Sequence, residues 1–187
     1  MSAFKAVLAI WLLAVGGLAA AAQQSTAEWQ TRLQQVLPLL GHRNWIMIVD
    51  SAYPLQSSAG VETLETNTDQ MEVVRQVLAA IDSSIQVRPI VYMDAELPFV
   101  TEKDAPGVTA YREAIKTALA GRKITSLPHE HLIAKVDEVG KTFHILVLKT
   151  TMTVPYTSVF LQLNCKYWSD EAEAAMRKAM SADAAKR

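Results

Sequence analysis

Two titratable residues flank one short apolar run near the start of the chain. His42 follows Gly41, and Asp50 ends the run "WIMIVD" within the stretch "LLGHRNWIMIVDSAYPL". A histidine side chain, with an ordinary pKa of about 6.5, can accept and donate a proton near neutral pH. A carboxylate at the end of a buried strand needs hydrogen bonds to be tolerated there. The pattern indicates proton transfer on a polar ligand; a turn histidine and a loop-capping aspartate are the structural alternatives.

The stretch "PHEHL" places two further histidines close together. His129 falls in the first turn of a predicted helix, where the helix dipole favours a neutral imidazole that can bind a hydroxyl group. A surface capping role is the alternative. His129 and His131 are two residues apart and face different directions on a helix, so they cannot bind one metal ion. The sequence therefore predicts no metal site, and His144, in a strand pattern, is interpreted as structural.

Other sequence features exclude whole classes of function. There is no phosphate-binding loop, no glycine-rich dinucleotide fingerprint and no nucleophile elbow, which argues against nucleotide chemistry and covalent catalysis. The chain has 18 basic and 19 acidic residues, and no basic patch stands out. Nucleic acid and anionic membrane surfaces are therefore not expected partners. Cys165 is the only cysteine and lies in the apolar run "VFLQLNC", so we expect a buried, unreactive thiol.

The first 22 residues have the pattern of a secretory signal peptide. They contain one lysine, Lys5, then an apolar core over residues 6–18 and an alanine-rich tail. An uncleaved anchor is the alternative, but this core is shorter than the ~20 residues that span a membrane. We predict a single mature domain over residues 23–187, secreted or periplasmic. Losing Lys5 leaves 17 basic and 19 acidic residues, a formal charge of −2.

Helical patterns alternate with apolar runs of strand length along the mature chain. We predict helices over residues 25–41, 68–84, 108–121, 126–140 and 169–187, and strands over residues 45–50, 86–93, 142–150 and 156–168. Ser126 is the expected cap of the fourth helix, residues 51–67 are expected to be irregular, and Pro89 suggests a sheet edge or a strand start. This alternation favours an α/β layered fold with a largely parallel sheet, whose ligands bind at the carboxyl ends of the strands. Asp50, Ser51 and Tyr53 lie at such an end.

Three stretches together resemble the D-ribose pyranase and L-fucose mutarotase (RbsD/FucU) family. "LGHRNWIMIVDSAYP" is similar to that family's Leu-Gly-His turn, apolar strand, aspartate, small residues and proline. "HEHL" is similar to its His-Glu pair at the start of a helix, and "VPYTSVFLQL" to a Pro-Tyr-x-Asn pattern that begins a terminal strand. The three occur in the family's order and span residues 39–163.

The resemblance implies a three-layer α/β sandwich that assembles into a ring-like homo-oligomer. It implies an isomerase that interconverts cyclic forms of a monosaccharide such as ribose or fucose, with no metal and no cofactor. By position, His42 is then the acid/base, Asp50, His129 and Tyr156 contact the sugar, and Ser158 stands where the family pattern has asparagine. A non-catalytic monosaccharide-binding protein on the same fold is the alternative function, and the sequence leaves both open.

The spacing of His42 and Asp50 has a consequence for assembly. An extended chain rises ~3.3 Å per residue, so eight residues separate the two groups by up to about 26 Å. A sugar ring is much smaller than this gap. If both residues contact one sugar, as the resemblance implies, they must come from neighbouring subunits.

Overall fold

The computed structural model describes residues 28–184, which form six strands and five α-helices. The predicted signal peptide, residues 1–22, lies outside the described residues. The helices are α1 (28–36), α2 (Gln70–Ser83), α3 (Val108–Ala118), α4 (His129–Gly140) and α5 (Asp170–Ala184), with short 3-10 turns at Leu37–Leu39 and Leu97–Phe99. The strands are β1 (Trp45–Val49), β2 (Val61–Glu65), β3 (Val87–Asp94), β4 (Ile124–Leu127), β5 (Ile145–Lys149) and β6 (Val159–Cys165).

All six strands form one sheet, in the order β2-β5-β1-β6-β3-β4. β1 and β2 both pair parallel with β5, and β3 pairs parallel with β4, whereas β6 runs antiparallel between β1 and β3. The predicted mainly parallel sheet is therefore confirmed. Because β1, β2 and β5 run the same way, the loops that follow them emerge at one edge of the sheet.

Helices cover both faces of this sheet, as a continuously apolar strand requires. All five residues of β1 are buried, and they alternate between two cores. Ile46 and Ile48 pack in the core under α1, α2 and α3, while Trp45, Met47 and Val49 pack in the core under α4. The three-layer α/β sandwich is confirmed.

The sequence did not reveal the two edge strands. β2 lies inside the stretch 51–67 that we expected to be irregular, and β4 precedes α4. Ser126 is a residue of β4 and not a helix cap; α4 begins at His129 after an N-cap at Pro128. Both strands are four or five residues long and mostly half-exposed. They therefore lack the continuous apolar run that identified the central strands.

Two prolines are placed as their chemistry requires. Pro89 pairs only with β6, because β4 joins β3 from Val91 onward, so its missing N–H faces no second strand. Pro38 lies in the 3-10 turn where α1 ends. Across residues 28–184, no helix is long and apolar enough to cross a bilayer.

Candidate active site

The loop after β1 is bound to the loop after β5 at the carboxyl edge of the sheet. Asp50 Oδ1 accepts a hydrogen bond of 2.8 Å from the backbone N–H two residues further on, so part of this carboxylate caps its own loop. The Ser51 N–H donates to the Met152 carbonyl, and Lys149 Nζ donates to the Tyr53 carbonyl, each at 2.8 Å. These contacts fix the Asp50 loop beside residues 150–156.

A buried polar cluster holds the turn that carries Tyr156. The Thr157 carbonyl accepts hydrogen bonds from Gln70 Nε2 of α2 and from the Tyr111 hydroxyl of α3, both at 2.5 Å. Tyr156 itself has a left-handed backbone, with φ of 58°. This conformation is uncommon outside glycine and persists only when the surroundings hold it. The two helices thus present the partly exposed Tyr156 ring at the sheet edge.

His129 is held on two sides at the start of α4. Its Nδ1 lies 3.0 Å from Oδ1 of Asp94, the buried last residue of β3. Its backbone N–H donates to the Glu96 carboxylate at 2.9 Å. The imidazole also meets the Tyr156 ring edge to face, with centroids 5.6 Å apart and an interplanar angle of 84°. The ring orientation is therefore set by its neighbours.

When it is ionised, Asp94 determines which nitrogen of His129 carries hydrogen. Burial raises the pKa of Asp94 above its ordinary value, and the bond to His129 opposes that rise. An ionised carboxylate can only accept hydrogen bonds, so Nδ1 then carries the hydrogen and Nε2 is an acceptor. Asp94 Oδ2 is buried and has no hydrogen-bond partner in the part of the chain that the structure describes.

A cavity of about 440 Å³, here called the Asp50 cavity, opens at this edge of the sheet. Asp50, His129 and Tyr156 line it together with Tyr53, which comes from the same loop as Asp50. Burial raises the pKa of Tyr53, which keeps its hydroxyl protonated. The cavity therefore combines a carboxylate, an oriented imidazole and a phenol, which are groups able to bind the hydroxyls of a polar ligand.

Ser158 lies close by in sequence but does not line the Asp50 cavity. Its side chain is buried, and its Oγ has no hydrogen-bond partner among the described residues. Its role as a sugar contact stays a prediction.

His42 lies at the other end of β1. It is exposed and lines a separate cavity of about 540 Å³, here called the His42 cavity. The five residues of β1 between the two cavities rise about 16 Å. One chain therefore brings together Asp50, His129 and Tyr156, and does not bring His42 to them.

A family model supplies the deciding comparison. The model of the RbsD / FucU transport protein family matches residues 26–165. The chain belongs to this family. No curated protein sequence is significantly similar to it.

Comparison with solved structures finds several that are similar to this RbsD/FucU family chain. One is Bacillus subtilis RbsD complexed with D-ribose, with a TM-score of 0.52 and 18% identity, covering 71% of this chain and 91% of that one. Another is the fucose mutarotase in complex with L-fucose from Streptococcus pneumoniae, with a TM-score of 0.47 and 19% identity, covering 70% and 89%. FucU from Bifidobacterium longum has a TM-score of 0.49 and 18% identity, covering 71% and 92%.

The remaining histidines and the cysteine of this RbsD/FucU family chain lie away from the Asp50 cavity. His131 is exposed on α4, and His144 Nε2 lies 3.4 Å from the Glu62 carboxylate. Cys165 is half-buried, not buried as we expected, and lines the His42 cavity. Over residues 28–184, no group of three His, Cys, Asp or Glu side chains could bind a metal ion.

Asp94 is the site residue that sequence reasoning missed. It ends the predicted strand "QVRPIVYM" in the way that Asp50 ends "WIMIV". The rule that selected Asp50, a carboxylate that closes a buried strand, applies equally to Asp94. Because Asp94 is followed by "AELP", we assigned it to a predicted loop and not to the strand.

Proposed function

We propose that this chain is an exported sugar mutarotase or pyranase, an isomerase that interconverts the cyclic forms of a free aldose such as ribose or fucose. The observation that carries the proposal is the Asp50 cavity, in which Asp50, His129 and Tyr156 meet on the fold of a protein family with a ribose-bound member. These are three of the five residues that the sequence motifs single out.

The reaction matches the groups in the cavity. Opening a cyclic hemiacetal removes the proton of the anomeric hydroxyl, breaks the bond from C1 to the ring oxygen and protonates that oxygen. Closure on the other face of C1 gives the other anomer, and closure by another hydroxyl gives another ring size. These steps need proton transfer only, so neither a metal nor a cofactor is part of the proposal.

Each residue has a proposed role. His42 transfers the proton, as its position in the family motif implies. His129 Nε2, left as an acceptor by the Asp94 contact, binds a sugar hydroxyl. Asp50 accepts a hydrogen bond from a second sugar hydroxyl through Oδ2, the carboxylate oxygen that does not cap its own loop. The Tyr156 phenol, which lines the same cavity, donates to a sugar oxygen.

The proposal requires two copies of the chain at each site. His42 and Asp50 line different cavities at opposite ends of β1, so one chain cannot place both on one monosaccharide. We infer that a neighbouring copy in a cyclic homo-oligomer supplies His42 to the Asp50 cavity. Such head-to-tail contacts close into rings when the rotation between copies allows it.

Ser158 supports one alternative, a sugar-binding protein without turnover. Its hydroxyl is buried and has no hydrogen-bond partner among the described residues, at a position where the family pattern has an asparagine. Without the asparagine amide, the site could keep affinity for a sugar and lose the alignment that ring opening needs. Measurement of exchange and of binding on the same sample separates the two functions.

Saturation-transfer NMR of free aldoses tests the proposal. The mature chain, residues 23–187, should transfer saturation between the α and β anomers of at least one aldose. His42→Ala should reduce this exchange by about 10²- to 10⁴-fold, the usual contribution of a positioned acid/base. His131→Ala is the matched control, because His131 is exposed and lines neither cavity. Exchange at the uncatalysed rate with every aldose would contradict the proposal.

A further inference from the structure

Part of the wall of the His42 cavity lies beyond the residues that the family model matches. The family match ends at residue 165, and the C-terminal segment, residues 166–184, begins there. This segment contributes Tyr167, Trp168, Glu173 and Arg177 to the cavity. The wall of the cavity beside His42 is therefore partly built by residues that follow the family match.

Contacts anchor the C-terminal segment to the sheet. Arg88 of β3 donates from Nε to the Cys165 carbonyl at 3.1 Å and from its terminal nitrogen to Asp170 at 2.8 Å. Ser169 Oγ accepts the Ala172 N–H at 3.1 Å and so caps α5. The beginning of α5 is thus fixed next to His42.

Trp168 is held in one orientation and is still open to solvent. Its Nε1–H donates to Glu173 Oε2 at 2.8 Å, and Arg177 donates to Glu173 Oε1 at 2.6 Å. The indole remains 44% exposed. A flat apolar ring therefore lines the His42 cavity among polar side chains, with its N–H already hydrogen-bonded.

This arrangement suits a second sugar ring. A pyranose is amphipathic, with C–H groups on its faces and hydroxyls around its edge, so a face can stack on an indole while the edge meets polar groups. At about 540 Å³, the His42 cavity is within the ~300–1,000 Å³ of pockets for small molecules. If the ring that reacts extends from His42 toward the Asp50 cavity of a neighbouring copy, a substituent on that ring can lie against Trp168, which lines the same cavity as His42.

We propose that Trp168 and its C-terminal segment form a subsite for the second ring of a reducing disaccharide or longer reducing oligosaccharide. This proposal rests on the proposed function, because the reducing-end ring is the one that opens at His42. Only the bond from C1 to the ring oxygen of that ring breaks and re-forms, and its anomeric proton moves to the ring oxygen. The glycosidic bond to the second ring is not involved.

Anomer exchange in matched sugar pairs tests the subsite. Each pair is a free aldose and a reducing disaccharide with the same aldose at its reducing end. The wild-type chain should have a higher kcat/KM for at least one disaccharide than for its aldose. Trp168→Ala should lower that disaccharide's kcat/KM by about tenfold, mainly through KM, and change the aldose by less than about twofold. Met180→Ala is the control, because Met180 is exposed on α5 and does not line the cavity.

Two results would overturn the subsite. One is a ratio of disaccharide to aldose kcat/KM that Trp168→Ala leaves unchanged. The other is a change of sedimentation coefficient in Trp168→Ala, because the indole would then be covered by a second copy of the chain.

A binding measurement separates this proposal from the proposed function. Saturation-transfer difference NMR reports contact between a disaccharide and the protein whether or not the sugar is turned over. Binding that depends on Trp168, without exchange of any sugar, would support the subsite and contradict the isomerase. Exchange of free aldoses without a Trp168 effect would support the isomerase and contradict the subsite. The absence of both binding and exchange would contradict both proposals.

Discussion

His129 Nδ1 lies 3.0 Å from Asp94 Oδ1, although 35 residues separate the two in sequence. One ends β3 and the other begins α4, with β4 between them. The carboxylate fixes both the orientation of the imidazole and the nitrogen that carries hydrogen. Asp94 therefore acts on the Asp50 cavity through His129, as a positioning residue.

Replacing Asp94 tests this role by its effect on activity. Asp94→Asn puts an amide beside Nδ1, which can donate and so favours the other tautomer of His129. We expect anomer exchange to fall by about 10- to 100-fold, part of the ~10²–10⁴ that acid/base catalysis contributes. In the wild type, exchange should also fall as pH drops through the raised pKa of Asp94, because the protonated carboxyl no longer fixes the tautomer. Rate–pH profiles of the same shape in wild type and Asp94→Asn would contradict the role.

The Asp94→Asn substitution, which is expected to lower activity, should raise the stability of the folded chain. Burial raises the folded-state pKa of Asp94 above an unfolded value of about 3.9. Between the two pKa values the folded chain binds the extra proton, so this group's contribution to stability falls as pH rises through that window. The cost of the buried charge is present above the raised pKa. Asp94→Asn should raise the melting temperature relative to wild type more at pH 7 than at pH 4, and equal shifts at both pH values would contradict this.

Tyr111 is predicted to position the turn that carries Tyr156. Tyr111→Phe removes one of the two hydrogen bonds to the Thr157 carbonyl and the hydrogen bond that the hydroxyl accepts from Gln70. Each costs about 0.5–1.5 kcal/mol in the free energy of unfolding. The Tyr156 turn should loosen, so KM for the sugar should rise. Tyr92→Phe is the control, because it removes a hydroxyl bonded to Gln162 and not to this turn. Chemical denaturation and exchange kinetics give the two readouts, and equal KM changes in both variants would argue against the role of Tyr111.

Ser158 gives a test of the family pattern. A serine is shorter than asparagine and has no amide, and the Ser158 Oγ has no partner within residues 28–184. Ser158→Asn should improve turnover of ribose or fucose if the longer side chain brings its amide to a buried sugar hydroxyl, because such a partner contributes on the order of 1–3 kcal/mol. Ser158→Ala serves as the control and should not improve turnover. If asparagine gives no gain with any aldose, the site is shaped for another ligand.

Export can be checked directly. The predicted signal peptide over residues 1–22 implies a mature chain that begins near Gln23. Mass spectrometry of the native protein from the secreted or periplasmic fraction should find that terminus. An intact segment from Met1 to Ala22, held in the membrane, would contradict export.

The strands that could be predicted from the sequence are those whose burial on both faces requires apolar residues. β1 had to be apolar throughout because helices cover both of its faces, so the run "WIMIV" was sufficient to identify it. β2 and β4 lie at the edges, where one side needs no partner strand and polar residues are tolerated, so their composition resembles that of loops.

The candidate site likewise has features that could be predicted from the sequence and features that could not. Asp50 was predictable because its position at a strand end is local in sequence. Two other features depend on how β3, α2, α3 and α4 pack, which no local sequence pattern contains. They are the contact between Asp94 and His129, and the hydrogen bonds from Gln70 and Tyr111 to the Thr157 carbonyl.

A sugar site shared between two copies of the chain is the central requirement of the proposed function. Complementation between inactive variants tests this requirement directly. Oligomers are assembled from equal amounts of His42→Ala and Asp50→Ala chains, by co-expression or joint refolding. If each site takes His42 from one copy and Asp50 from the next, random assembly leaves about a quarter of the interfaces with both residues intact.

The matched control pairs Asp50→Ala with His129→Ala. Both substitutions lie in the Asp50 cavity of one chain, so no interface in that mixture has both residues intact. Saturation-transfer NMR should find about a quarter of the wild-type exchange rate in the first mixture and none in the second. Exchange that stays absent in the first mixture, or a monomer by sedimentation that still interconverts the sugar, would contradict the shared site.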